Sequence, residues 1–144
     1  MAARIRRAGF VLALALLLTT ALTGAAWAAT LVGTDNRDRQ FGTDGRDTIY
    51  GLDGNDFISG RLGDDKLGGG AGGDVVYGKR GADLVRGGRG ADDLFGSRGN
   101  DVIDAADGRL DWVDCGSGNE DRASVDEPDQ VHKNCEIVNG EQAH

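Results

Sequence analysis

Eight nine-residue units follow one another without a gap from Gly33 to Asp104, and this register constrains the fold more than anything else in the chain. They read GTDNRDRQF, GTDGRDTIY, GLDGNDFIS, GRLGDDKLG, GGAGGDVVY, GKRGADLVR, GGRGADDLF and GSRGNDVID. Glycine opens every unit, at Gly33, Gly42, Gly51, Gly60, Gly69, Gly78, Gly87 and Gly96. A further glycine holds the fourth position, at Gly45, Gly54, Gly63, Gly72, Gly81, Gly90 and Gly99, with Asn36 the exception. The sixth position is always aspartate: Asp38, Asp47, Asp56, Asp65, Asp74, Asp83, Asp92 and Asp101. The eighth is aliphatic from Ile49 to Ile103, with Gln40 the exception. Glycine averages only about 7% of protein residues, so a fixed register of this kind answers a structural demand.

Glycines three apart permit a tight turn through backbone angles that a Cβ resists. Such a turn can aim several carbonyl oxygens to one side, and the aspartate at its end adds a carboxylate. Hard cations such as Ca2+ take carboxylate and carbonyl oxygens together in flexible geometry. The units contain no Cys or His, which disfavours zinc and softer metals. Positions seven to nine read as short extended segments, such as Thr48-Ile49-Tyr50, in which the eighth residue faces opposite to its neighbours. One such strand buries nothing alone. Stacked strands would bury Ile49, Ile58, Leu67, Val76, Val85, Leu94 and Ile103 in a single ladder, as repeat folds do.

The N-terminus reads as an export signal spanning residues 1–28, with basic Arg4, Arg6 and Arg7, an apolar stretch from Phe10 to Leu22, and the small-x-small pattern Ala26-Trp27-Ala28. The strongly apolar run is about 13 residues, short of the roughly 20 that a membrane span requires. Cleavage after Ala28 is therefore expected, with a secreted, extracellular product and no membrane span. Losing three arginines moves the net charge from −8 to −11. A polyanion of that size is a poor partner for nucleic acid and a natural one for cations. Leu, Ile, Val and Phe supply 23 residues of the mature chain, a proportion near the edge of disorder. A chain that folds when its charge is neutralised reconciles this composition with the strict register.

These residues resemble the RTX, or haemolysin-type, calcium-binding nonapeptide repeats, whose pattern is Gly-Gly-x-Gly-x-Asp-x-aliphatic-x. The resemblance covers residues 33–104, half of the chain. It implies an all-β fold, a right-handed parallel β-roll with two units per turn and calcium held between turns on the same edge. Asp38, Asp56, Asp74 and Asp92 would line one edge, and Asp47, Asp65, Asp83 and Asp101 the other. Each ion would sit between aspartates eighteen residues apart, giving about four to six Ca2+ ions. The chain departs from the family at the second glycine, kept only at Gly70 and Gly88 and replaced by Thr34, Thr43, Leu52, Arg61, Lys79 and Ser97. The third position changes from Asp35, Asp44 and Asp53 to Arg80, Arg89 and Arg98, which predicts weaker ion binding in the C-terminal loops. The first unit, with Asn36 and Gln40, reads as a capping half-turn.

Alternation places Phe41, Phe57, Ser59, Tyr77 and Phe95 on one outer face. Exposed apolar surface of this kind marks an interface, so the face is expected to meet a cell-surface partner or another copy, or to be covered by the tail. The tail, residues 105–144, breaks register: Leu110 stands where aspartate is expected and Trp112 where the aliphatic would sit. It reads as a cap closed by an indole. It also holds the only cysteines, Cys115 and Cys135. In an exported chain such a pair forms a disulfide, closing a loop of 21 residues with a stabilisation of about 3 kcal/mol. No arrangement of nucleophile, base and oxyanion donor is visible, which points away from an enzyme.

Overall fold

The computed structural model describes residues 27–132, 134–135 and 137–139. Most of the expected export signal, residues 1–26, lies outside the described residues. Every regular element among them is a β-strand. In order these are β1 (Thr30–Val32), β2 (Arg39–Phe41), β3 (Thr48–Asp53), β4 (Phe57–Leu62), β5 (Lys66–Ala71), β6 (Val75–Arg80) and β7 (Leu84–Arg89). There follow β8 (Asp93–Arg98), β9 (Val102–Asp104), β10 (Trp112–Ser117), β11 (Arg122–Ser124), β12 (Gln130–Val131) and β13 (Ile137–Asn139).

Odd strands form one seven-stranded sheet and even strands a six-stranded sheet, all neighbours parallel. The chain is a parallel β-roll. Each unit supplies a strand to one sheet and the next unit a strand to the other, so residues eighteen apart stack: Ile49 on Leu67 on Val85 on Ile103, and Ile58 on Val76 on Leu94. All seven ladder residues are buried, between 0% and 3% exposed. The sheets thus close on two stacks of side chains, one from each sheet, and this narrow core suffices only because every turn repeats it.

Five features differ from the sequence expectation. Most strands in the centre run six residues rather than three, because pairing resumes past the opening glycine, as in Leu52 with Gly70 and Asp53 with Ala71. A strand precedes the first unit: Leu31 in β1 stacks beneath Ile49, so the N-terminal cap is Thr30–Val32 together with β2. Ser59 shares the outer face as expected but is buried there, because Phe41 and Tyr77 flank it in register.

The last two differences lie in the tail. Asp111, not Leu110, takes the aspartate position, and Val113, 0% exposed, takes the aliphatic one. Trp112 points outward at 40% exposure, so the indole does not cap the core. The roll therefore outlasts its eight regular units, with β10 paired to β8 and β11 to β9. Cys115 and Cys135 form a disulfide with Cα atoms 5.1 Å apart. Cys115 itself occupies the buried place that glycine holds in earlier units.

Candidate metal centre

The sixth-position aspartates form a ladder along each edge. The backbone N–H of Asp47 donates to Oδ1 of Asp65, and the same bond recurs from Asp56 to Asp74, Asp65 to Asp83 and Asp74 to Asp92, each at 2.8 Å. Asp38 donates to Asp56 at 2.8 Å and Asp83 to Asp101 at 2.9 Å. Every pair eighteen residues apart that the repeat register implies is thus brought together. Beyond the regular units the ladder goes on, from Asp92 to Asp111, Asp101 to Asp121 and Asp111 to Asp129, with separations of 19, 20 and 18 residues. Sequence reading missed these three, although the triplets Asp111-Trp112-Val113, Asp121-Arg122-Ala123 and Asp129-Gln130-Val131 preserve the aspartate-x-aliphatic pattern.

The second oxygen of each carboxylate carries the chemistry. Oδ2 of Asp56, Asp65, Asp74, Asp83, Asp92, Asp101 and Asp111 is buried and accepts no hydrogen bond. An orphaned charged oxygen is costly in a low-dielectric interior. Burial accordingly pushes Asp83 and Asp92 up to about 7, against the opposing effect of the N–H donated by Asp65 and Asp74, and with an added push from neighbouring carboxylates. Burial likewise lifts Asp65, Asp74, Asp101 and Asp111 to about 6, and Asp56 is raised for the same reason. The exposed Asp64 shows the contrast: an N–H from Ala82 and the Arg46 guanidinium, 2.9 Å away, hold it below the usual range.

The glycines explain how the oxygens are approached. Opening glycines such as Gly51 and Gly78 lie directly over Oδ2 of their own unit's aspartate, where any Cβ would collide with it. At the fourth position Gly54, Gly72, Gly81 and Gly99 take φ near +130°. A Cβ on Gly72 would strike the carbonyl oxygen of Gly54, and one on Gly90 that of Gly72. The second-position carbonyls stack the same way, Leu52 beneath Gly70 and Gly70 beneath Gly88. At the opening glycines the two kinds of oxygen meet: a Cβ on Gly51 would strike both Oδ2 of Asp56 and the carbonyl of Gly69, and one on Gly69 both Oδ2 of Asp74 and the carbonyl of Gly87. Among the described residues no three or more His, Cys, Asp or Glu side chains gather into a metal-holding group. A cation here must draw on backbone carbonyls, a donor set suited to Ca2+.

The first two units are built differently. Thr34 donates its N–H and hydroxyl to Oδ2 of Asp38, at 2.5 and 2.9 Å. Thr43 does the same for Asp47, at 2.5 and 3.1 Å. Their carboxylates are satisfied from within, and neither threonine takes the positive φ of Leu52, Arg61, Lys79 and Ser97, which stand at 80° to 87°.

The family model described as RTX calcium-binding nonapeptide repeat (4 copies) matches residues 32–67 and again 68–103. The chain belongs to the RTX calcium-binding nonapeptide repeat family. The match ends one residue before the regular units do, so the turns carrying Asp111, Asp121 and Asp129 extend this RTX roll beyond the matched residues. No curated protein and no solved structure matches the chain significantly. Repeats of this family bind Ca2+.

Proposed function

We propose that this RTX protein is exported, that Ca2+ completes its folding, and that its role is binding rather than catalysis. The supporting observation is the row of buried Oδ2 atoms from Asp56 to Asp111 with no partner in the protein. Without a cation these carboxylates oppose closure of the roll, and a divalent ion between turns removes both the repulsion and the missing contact. Four ions are assigned, between Asp56 and Asp74, Asp65 and Asp83, Asp74 and Asp92, and Asp83 and Asp101. Only these pairs join regular units that both carry positive φ at the second position. Export is supported by the signal pattern of residues 1–28 and by the Cys115–Cys135 disulfide, a bond that persists in oxidising compartments.

Far-ultraviolet circular dichroism of the mature chain tests the coupling. Little β signal in excess chelator and a full signal in calcium is the expected result; full β content in chelator sinks the proposal. Calorimetric titration should then reach four ions per chain.

A second reading, an adhesion or matrix module, draws on the outer face. Phe41, Phe57, Tyr77 and Phe95 form a continuous ridge, with ring centroids 5.7, 5.7 and 4.5 Å apart in sequence order. Phe57 reaches both neighbours because the small Ser59 lies between Phe41 and Tyr77. Loss of self-association or envelope pull-down on replacing Phe57 and Phe95 by serine would support this reading, and unchanged behaviour would remove it.

A further inference from the structure

Beside this ridge the roll carries a feature that neither reading uses. The second and third positions of the fourth, sixth and eighth units stack in register, Arg61 with Lys79 with Ser97 and Leu62 with Arg80 with Arg98. They line a groove of about 400 Å³, with Ser59 at its inner side. Arg61, Lys79, Arg80 and Arg98 are all exposed, and no ion pair among the described residues engages any of them. Four unpaired cations side by side stand out in a chain of net charge −8. Two of them, Arg61 and Lys79, occupy positions with φ of 84° and 87°, where the RTX pattern has glycine.

We propose that this groove binds an acidic polysaccharide. Successive strands lie about 4.8 Å apart, so the cations form rows whose repeat is close to the length of one sugar in an extended glycan. Carboxylates spaced along such a chain would meet Arg80 and Arg98 on one row and Arg61 and Lys79 on the other, with guanidinium groups suited to paired carboxylate oxygens. The adjoining rings favour a sugar over a nucleic acid. Tyr77 is stacked on Phe95 at an interplanar angle of 10° and also carries the Lys79 ammonium 4.1 Å from its centroid. Both contacts occupy the ring faces on which a base would stack, so the groove offers charge to a carboxylate polymer without a stacking platform for bases. Self-pairing of this groove between two copies is disfavoured, since it would set Arg61 and Lys79 against the same cations.

This assignment goes beyond calcium binding and requires only that the roll be folded. The test is calorimetric binding of a galacturonate pentamer to the calcium-loaded mature chain, beside its neutral methyl ester and a single-stranded DNA oligomer. Expected are binding of the pentamer that weakens in high salt, no binding of the ester, and a loss of at least about tenfold in affinity in Arg80→Gln/Arg98→Gln. A charge-matched pair away from the groove, Arg37→Gln/Arg109→Gln, should stay within about twofold. Circular dichroism and calcium titration of each variant separate loss of the groove from loss of the roll. Absence of pentamer binding, equal binding of the ester, equal loss in both double variants, or tighter binding of DNA would each overturn the proposal.

Discussion

Asp65 donates its backbone N–H to Oδ1 of Asp83 at 2.8 Å, while Oδ2 of Asp83 is buried with no partner. One carboxylate thus serves as a structural acceptor through one oxygen and keeps the other without a protein donor. Its hydrogen-bonded oxygen fixes the spacing between turns, and under the proposed function its other oxygen is the one that would meet a cation.

The pH dependence follows from this division. Asp83 and Asp92 titrate near 7 in the folded roll against 3.8 when unfolded. Between those values the folded state holds more protons, so metal-free stability is greatest at the acid end and falls as pH rises. In chelator the β signal should be larger near about pH 5 than near about pH 7.5, whereas with calcium present the midpoint of thermal unfolding should be higher near about pH 7.5, because protons compete with the ion. Equal β signals at both pH values in chelator would contradict the burial cost.

Neutralising single aspartates should separate the two kinds of turn. Asp83→Asn keeps an acceptor for the Asp65 N–H but removes the charge, and should weaken calcium binding by at least about tenfold while leaving the β signal in chelator unchanged or stronger. Asp38→Asn should change calcium affinity little, since Thr34 already satisfies that carboxylate. Titrations of both variants side by side decide the matter.

Backbone strain offers a prediction of opposite sign. Leu52 holds φ of 80° with its side chain 42% exposed. Leu52→Gly should stabilise the calcium-loaded roll by up to about 1 kcal/mol, the left-handed cost of a side chain less the extra freedom of glycine when unfolded. Gly72→Ala should destabilise by about 2 kcal/mol or more, because its φ is +131° and its Cβ would meet the Gly54 carbonyl. Chemical denaturation in calcium measures both.

The disulfide acts on the last turns. Cys115→Ser/Cys135→Ser should lose about 3 kcal/mol for a closed loop of this length. Hydrogen exchange should quicken first in β10, which carries Cys115, and in β12, just before Cys135, and last in β4 to β6.

Regularity decided what was legible beforehand. Ile49, Ile58 and Leu67 could be placed in the core because nothing is inserted between their units. Asp111 could not, because one extra residue in the loop that starts at Ala105 shifts the register, and an exposed loop absorbs that residue without disturbing the strand after it. The local triplet of aspartate, spacer and aliphatic is the rigid element; the nine-residue count is only its usual spacing. Nor could the sequence distinguish the two oxygens of each carboxylate, or reveal that Thr34 and Thr43 close their own turns. That distinction lies in backbone angles that a threonine and a lysine at the same position resolve differently.

The aspartate ladder also has a direction. Each N–H finds its acceptor on a residue about eighteen positions later in the chain, from Ala29 with Asp47 to Asp111 with Asp129. A ribosome makes the donor first and the acceptor last. Every newly made turn is therefore incomplete until its successor emerges, and the growing end always lacks its acceptors. Assembly of the finished roll depends on the last turns, which makes the irregular, disulfide-bonded C-terminus the latch of the whole stack.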